Sequence, residues 1–179
     1  MNTTTRRICK DAILLAVLCV IGMLSLPLGD NIKVSLQFLV VIVICFLSDS
    51  LLDSIIITAS YLGLGFLLPI YAGFHMGISP TFGYVIGFVV ITIPMFFLMK
   101  IRVIPELVRL AIASLVSLLV LYVIGTVFMM LYLNLSLEKT LLVSVLPYIP
   151  FDIIKIAVAL LIYKMFPKRL IPNEKDSNG

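Results

Sequence analysis

The chain has 179 residues, of which 62% are hydrophobic and 12% are charged, and its mean hydropathy is +1.23. These values exclude an ordinary soluble domain and indicate a membrane protein that crosses the bilayer several times. The net charge of +4 comes from basic residues that lie between apolar segments, which is a poor basis for nucleic-acid binding. The length suits one membrane domain, residues 1–179.

Six apolar segments follow one another along the chain and predict an all-α integral membrane protein with six transmembrane helices. The first is predicted to be a retained helix, because no small-residue cleavage site follows it and further spans do. The tail 167–179 is charged and is predicted to be disordered. The six predicted spans cover roughly residues 11–27, 33–47, 51–70, 81–99, 105–133 and 151–166.

Polar landmarks mark the ends of several spans. Ser50 and Asp53 have the spacing of a capping box and predict the start of the third span. Asp49 and Asp53 are expected to be caps and solvated turn residues. The segment 71–80 is polar and rich in glycine, and is predicted to be a loop.

The basic residues are distributed unevenly between the two sides of the predicted membrane domain. The opposite side has only Lys33, Lys139 and Lys155. By the positive-inside rule both termini are cytoplasmic, in a multi-pass protein of the plasma membrane. The loops 28–31, 71–80 and 134–150 then face outward, so a pocket beneath them opens to the outside. The basic residues on the side of the termini are Arg6, Arg7, Lys10, Lys100, Arg102, Arg109, Lys164, Lys168, Arg169 and Lys175.

An acid and a base lie at the start of the last predicted span. Asp152 and Lys155 are three residues apart and therefore share a helix face. Charges within a span are costly, usually turn inward and are candidates for function. The alternative is an ion pair that fixes the start of the helix and binds nothing, and composition alone does not separate the two interpretations.

Two polar side chains of the spans are further candidates. Gln37 lies early in the second span, where a buried amide needs a partner on another helix or on a ligand. Tyr84 lies near the predicted outer surface, where a tyrosine of the interfacial belt is the simpler interpretation.

Two pairs of small residues mark faces on which a second helix can pack closely. Gly83 and Gly87 are four apart, and helix packing is the favoured interpretation for Gly87. Ala12 and Ala16 are also four apart, near the cytoplasmic end of the first span.

Sequence signatures of enzymes are absent. The chain has no Gly-x-Ser-x-Gly, no His-Glu-x-x-His and no Gly-x-x-x-x-Gly-Lys, so ATP-driven work needs a partner. The single histidine, His75, cannot supply a multi-histidine metal site. We expect no enzymatic activity, no metal and no cofactor, with an intramembrane enzyme that uses Asp152 as a base as the alternative.

Four segments, taken in chain order, resemble the motifs of one transporter family. Residues 35–38 read Ser-Leu-Gln-Phe, and residues 60–73 contain Tyr-Leu-Gly followed by Leu-Pro-Ile-Tyr-Ala-Gly. Residues 80–88 read Pro-Thr-Phe-Gly-Tyr-Val-Ile-Gly-Phe, and residues 150–155 read Pro-Phe-Asp-Ile-Ile-Lys. These segments are similar to motifs of the BioY family, the biotin-specific substrate-binding (S) components of energy-coupling factor (ECF) transporters.

The resemblance implies an S-component fold and capture of biotin from outside for ATP-driven uptake. It also implies a complex with a transmembrane coupling subunit and two ATPase subunits. Ala12 and Ala16 lie where S components have an Ala-x-x-x-Ala face for the coupling subunit. The resemblance assigns substrate binding to Asp152, Lys155, Tyr84, Gln37, Gly83 and Thr81.

The chain departs from the family pattern beside the expected pocket. Phe82 and Phe151 replace glycines, and the loop 71–80 is several residues shorter than that of the family. A different carboxylate-bearing ligand such as lipoate is therefore the alternative within the same fold and role. The alternatives from other classes are an intramembrane enzyme and a membrane assembly protein.

Overall fold

The computed structural model describes residues 3–27 and 33–165. The predicted outer loop 28–31 and the predicted tail 167–179 lie outside the described residues. Within the described ranges the chain forms eight α-helices and two short strands. In chain order these are α1 (Thr3–Met23), β1 (Ser25–Pro27), β2 (Lys33–Ser35), α2 (Gln37–Leu47), α3 (Leu51–Leu64), α4 (Phe82–Val90), α5 (Thr92–Met99), α6 (Glu106–Leu133), α7 (Leu137–Ser144) and α8 (Ile149–Met165).

A short antiparallel hairpin of β1 and β2 joins the first two helices. The other described elements are helices and confirm the all-α prediction, to which this hairpin is the exception. In the hairpin Ser25 pairs with Ser35. The predicted spans 11–27 and 33–47 extend too far into this connection, because the backbone groups of β1 and β2 bond to each other and not along a helix.

The N-terminal helix begins at Thr3, earlier than the predicted span, because its basic residues have acidic partners. Arg7 donates hydrogen bonds to both carboxylate oxygens of Asp53, and Lys10 Nζ lies 2.6 Å from Asp49 Oδ2. The expectation that Asp53 is solvated is wrong, since it is only 5% exposed. The capping box of Ser50 and Asp53 is confirmed at the start of α3.

Helix α3 ends at Leu64, earlier than the predicted end at residue 70, because the chain turns back onto it. Gly65 follows the helix, and a Cβ atom there would lie 2.0 Å from the ring of Tyr71. The Tyr71 hydroxyl donates to the carbonyl oxygen of Leu62 at 2.7 Å. The segment 71–80 forms no helix or strand, as predicted, and Gly73 and Gly77 adopt positive φ angles of 76° and 72°.

The predicted span 81–99 is divided into α4 and α5 at Ile91. Pro94 explains the break, because it has no N–H group and its ring conflicts with the carbonyl group of Val90, four residues earlier. Pro150, in contrast, lies in the first turn of α8, where a proline is tolerated. Helix α8 therefore begins at Ile149, two residues before the predicted start.

Two stretches of the described residues are long and apolar enough to cross a membrane, and they are Phe82–Met99 and Glu106–Leu133. Helices α7 and α8 meet the same test together, with a bend of 48° between them. Helices α2 and α3 are apolar but shorter, with 11 and 14 residues, or about 17 and 21 Å. The prediction of six crossings depends on counting these two short helices and also α1 as spans.

Helix α6 forms the centre of the fold. It packs against α4 and α5, and also contacts α7 and α8, while α2 packs along α8. The approach of α4 to α6 is close, because a Cβ atom at Gly125 would lie 2.4 Å from the ring of Tyr84. This packing places the polar residues of α4, α6 and α8 next to one another.

Candidate functional site

A buried charged group connects α8 with α6. Lys155 Nζ donates to Asp152 Oδ1 at 2.6 Å, and the Tyr122 hydroxyl donates to Asp152 Oδ2 at 2.6 Å. Asp152 and Lys155 are 6% and 7% exposed. The predicted sharing of one helix face is therefore confirmed, and both carboxylate oxygens have donors from the chain itself.

The lysine of this pair retains hydrogen-bonding capacity. An ammonium group has three donors, and among the described residues Asp152 accepts the one hydrogen bond found for Lys155. A carboxylate with spare lone pairs and an ammonium with spare protons can together bind a group that offers both donors and acceptors. The arrangement also satisfies the alternative of a structural ion pair.

Tyr122 is the member of this site that the sequence interpretation missed. It lies in the apolar run Leu121-Tyr122-Val123 of α6, where a tyrosine resembles any other large side chain of a span. One feature of the sequence could have identified Tyr122, because a tyrosine in the middle of a membrane span needs a hydrogen-bond partner for its hydroxyl group. The structure supplies Asp152 as that partner.

Tyr84 is oriented toward the interior and is not a simple belt tyrosine. Its hydroxyl donates to the carbonyl oxygen of Ser144, the last residue of α7, at 3.0 Å. Its ring packs against Gly125 of α6. Tyr84 thus connects α4, α6 and α7 close to the Asp152 group.

The two glycines of α4 are packing residues. A Cβ atom at Gly83 would lie 2.2 Å from the Phe128 Cβ atom, and one at Gly87 would lie 2.6 Å from Leu121 Cδ1. Both glycines therefore set the distance between α4 and α6. Any effect of Gly83 on a ligand acts through this distance.

Gln37 belongs to a second polar group. It is 5% exposed and donates from Nε2 to the hydroxyl of Tyr61. That hydroxyl in turn donates to the carbonyl oxygen of Ile70 at 2.9 Å. The hydrogen bonds of Gln37 therefore tie α2 and α3 to the segment after α3, and its partners do not include Asp152 or Lys155.

Thr81 lies apart from the charged pair. It is exposed at the start of α4, and its side chain makes no cap hydrogen bond to that helix. Its hydroxyl lies 3.2 Å from the hydroxyl of Ser79. Of the six predicted substrate-binding residues, the structure joins Asp152 and Lys155 directly, while Tyr84 packs on α6, the helix that includes Tyr122.

Ala12 and Ala16 lie on an exposed face of α1. The large apolar residues Ile8, Ile13 and Val20 are 60–63% exposed on the same helix. No group of three or more residues suited to hold a metal ion occurs in ranges 3–27 and 33–165.

Comparisons with known proteins give one family and one solved structure. The sequence profile of the BioY family matches residues 1–171. The crystal structure of an "S-component for biotin from an ECF-type ABC transporter" matches with a TM-score of 0.80 and 21% sequence identity. The match covers 92% of this chain and 93% of the other, and at this identity it shows the fold. No curated relative matches the sequence.

Proposed function

Because the chain belongs to the BioY family, we propose that it is the substrate-binding membrane subunit of an ECF-type transporter and that it captures biotin. It is a multi-pass, all-α membrane protein with the fold of an S component. The solved structure with this fold is described as the S component for biotin, which supports biotin as the ligand.

The observation that carries the proposal is the buried Asp152–Lys155 pair with its orienting Tyr122. A bicyclic urea offers two N–H donors and one carbonyl acceptor, and biotin also has a carboxylate at the end of its chain. Asp152 accepts hydrogen bonds from the N–H groups, while the spare donors of Lys155 bond to a carbonyl or carboxylate oxygen.

Tyr122 gives Asp152 a fixed orientation in this proposal. Its hydroxyl, on α6, donates a hydrogen bond to one carboxylate oxygen of Asp152. This bond fixes the rotation of the carboxylate, so its remaining lone pairs point in a defined direction. Preorganised charged groups in a dry site bind more tightly than groups that must first be ordered. The role of Tyr122 is therefore positioning, whereas Asp152 and Lys155 contact the ligand.

The other candidate residues take different roles. Tyr84 packs on α6 beside the turn that includes Tyr122, and in this proposal it contacts the ligand directly. Gln37 acts by holding the segment after α3 through Tyr61. Gly83 sets the distance between α4 and α6, and Thr81 acts at the loop that precedes α4.

The exposed face of α1 is the proposed contact for the coupling subunit, which works with two ATPase subunits. Ala12 and Ala16 are exposed and small, so a partner helix can approach the backbone of α1 closely. In the same proposal both termini are cytoplasmic, following the distribution of basic residues. The start of α8 and the whole of α7 then lie toward the outside.

The test is to identify the ligand directly. The protein, purified from cells grown with biotin and lipoate, is denatured, and the released small molecules are identified by mass spectrometry. Titration of the emptied protein with each compound in a calorimeter gives the affinities. Biotin in the released fraction, and tighter binding of biotin than of lipoate, are the expected results. Release of lipoate, with no measurable biotin binding, would reverse the ligand assignment while keeping the transport role.

A further inference from the structure

Two buried hydroxyl groups near the charged pair have no hydrogen-bond partner. Thr126 on α6 is 3% exposed, and Ser144 at the end of α7 is 4% exposed. Within the described part of the chain, neither Thr126 Oγ1 nor Ser144 Oγ has a partner. Buried polar groups are nearly always paired, so each exception requires a physical explanation.

Several other buried hydroxyls of this protein use a local partner. Thr58 donates to the carbonyl oxygen of Ser54 at 2.8 Å, and Ser114 donates to that of Leu110 at 2.8 Å. Both bonds go to the carbonyl four residues earlier, which is the usual solution in a helix. Thr126 has the same option on α6 and does not take it. Its hydroxyl group is instead available for another partner.

The two hydroxyls face one side chain of the candidate site. Both lie near the hydroxyl oxygen of Tyr84 without a hydrogen bond of good geometry to it, and Tyr84 donates its own proton to the Ser144 carbonyl oxygen. Thr126 is four residues after Tyr122, so the two side chains lie on one face of α6, about 5–6 Å apart. The hydroxyl cluster of Tyr84, Thr126 and Ser144 thus adjoins the group around Asp152.

We propose that the hydroxyl cluster is a second polar subsite, which donates hydrogen bonds to an acceptor oxygen of the ligand held by Asp152 and Lys155. This inference rests on the proposed function. The Tyr84 proton is committed to the Ser144 carbonyl oxygen, whereas Thr126 and Ser144 make no hydrogen bond of good geometry within the described residues, so the subsite offers donors to a carbonyl or carboxylate oxygen. The ligand then has two polar groups, one at the charged pair and one at the hydroxyl cluster.

The subsite gives the two unpaired hydroxyls a partner. An unpaired buried hydroxyl lowers the stability of the folded chain, and a bound ligand removes this defect by accepting the bond. Ser144 ends α7, and the bond from Tyr84 to its carbonyl oxygen already ties this end of α7 to α4. A ligand that accepts a proton from Ser144 adds a second tie, so occupation of the site holds α7 in place.

The test uses the full chain in detergent and biotin as the probe. Thr126→Val and Ser144→Ala remove the hydroxyls with little change of shape, and Thr58→Val and Ser114→Ala remove paired hydroxyls elsewhere. We expect biotin affinity to fall about 2- to 12-fold for each of the first two variants, the value of one neutral hydrogen bond. The two control variants should bind within twofold of the wild type.

Thermal unfolding of the ligand-free proteins supplies a second measurement that needs no ligand. Thr126→Val and Ser144→Ala should leave the unfolding temperature unchanged or raise it, because they remove unpaired groups. Thr58→Val and Ser114→Ala should lower it, because they remove satisfied hydrogen bonds. A fall for Thr126→Val and Ser144→Ala that matches the controls would show paired, structural hydroxyls and would overturn the subsite.

The two proposals fail in different ways. If Asp152→Asn weakens biotin binding while both hydroxyl variants bind normally, the subsite is wrong and the proposed function stands. If the wild type binds no biotin, the ligand assignment fails. The unfolding temperatures then decide the subsite, with an unchanged or raised value supporting a ligand-facing hydroxyl and a lowered value rejecting it.

Discussion

Removal of either charge of the Asp152–Lys155 pair should weaken ligand binding in protein that remains folded. Asp152→Asn keeps the shape and one acceptor but removes the charge, and Lys155→Met keeps much of the apolar stem. Each variant loses at least one charged hydrogen bond to the ligand in a dry site, which is about 1.5–3 kcal/mol. The dissociation constant for biotin should therefore rise about 10- to 150-fold for each variant.

The same substitutions should also reduce stability, and the structure shows why. Both side chains are more than nine-tenths buried, so the partner that remains cannot reach water. Breaking a buried pair on one side costs about 3–5 kcal/mol, whereas replacing both partners is often nearly neutral. The double variant Asp152→Asn/Lys155→Met should therefore unfold closer to the wild-type temperature than either single variant. Its affinity should remain low, which separates binding from stability.

The assay is calorimetric titration of purified, folded protein, because the chain has no tryptophan to report binding by intrinsic tryptophan fluorescence. The matched control is the pair of Lys10 and Asp49, joined at 2.6 Å between α1 and the turn before α3. Lys10→Met and Asp49→Asn should not change biotin affinity. If folded Asp152→Asn and Lys155→Met bind biotin within twofold of the wild-type affinity, the ion pair has a purely structural role.

Three further predictions address other parts of the proposal. Ala12→Leu combined with Ala16→Leu should keep biotin binding by the isolated subunit but reduce uptake by the assembled transporter, and unchanged uptake would remove α1 as the coupling face. A reporter fused after Gly179 should indicate cytoplasm and one inserted at Met76 the outside, and the reverse pair of signals would overturn the orientation. Tyr122→Phe removes the bond to Asp152 and should weaken biotin binding about 2- to 12-fold, and an affinity equal to that of the wild type would deny its positioning role.

The local features of the chain could be predicted from sequence because they depend on neighbouring residues. The capping box of Ser50 and Asp53 needs only a spacing of three residues, and the structure contains it. The pairing of Asp152 with Lys155 follows from the same spacing within a helix. The loop character of 71–80 follows from its glycine content.

The partners of the charged and polar groups could not be predicted, because they are distant in the chain. Arg7 and Asp53 are separated by 46 residues, and nothing in either segment specifies the other. Asp53 was therefore expected to be solvated, although it is buried. Tyr122 and Asp152 are 30 residues apart, so their contact could not be predicted from neighbouring residues either.

The apolar character of the spans adds a second limit. In a soluble helix the polar face identifies the solvent side, but in a membrane both the lipid face and the packed face are apolar. The sequence of α6 therefore does not show that Tyr122 and Thr126 face the interior. The broken helix at Ile91 is different, since Pro94 was present in the sequence and its effect on the helix was predictable.

Phe82 stands where the resemblance to the BioY family predicts a glycine, and it packs among other aromatic rings. Its ring lies 5.4 Å from that of Phe66 and 5.9 Å from that of Phe128, so it connects the end of α3 with α6. It also lies 6.1 Å from the ring of Tyr71, at the beginning of the loop 71–80.

A glycine at position 82 makes none of these contacts, and each aromatic pair contributes about 0.5–1.5 kcal/mol beyond the area it buries. The start of the loop 71–80 is thus anchored by an aromatic side chain of α4. The charged pair and Tyr122 belong to α8 and α6, whereas Phe82 is the first residue of α4.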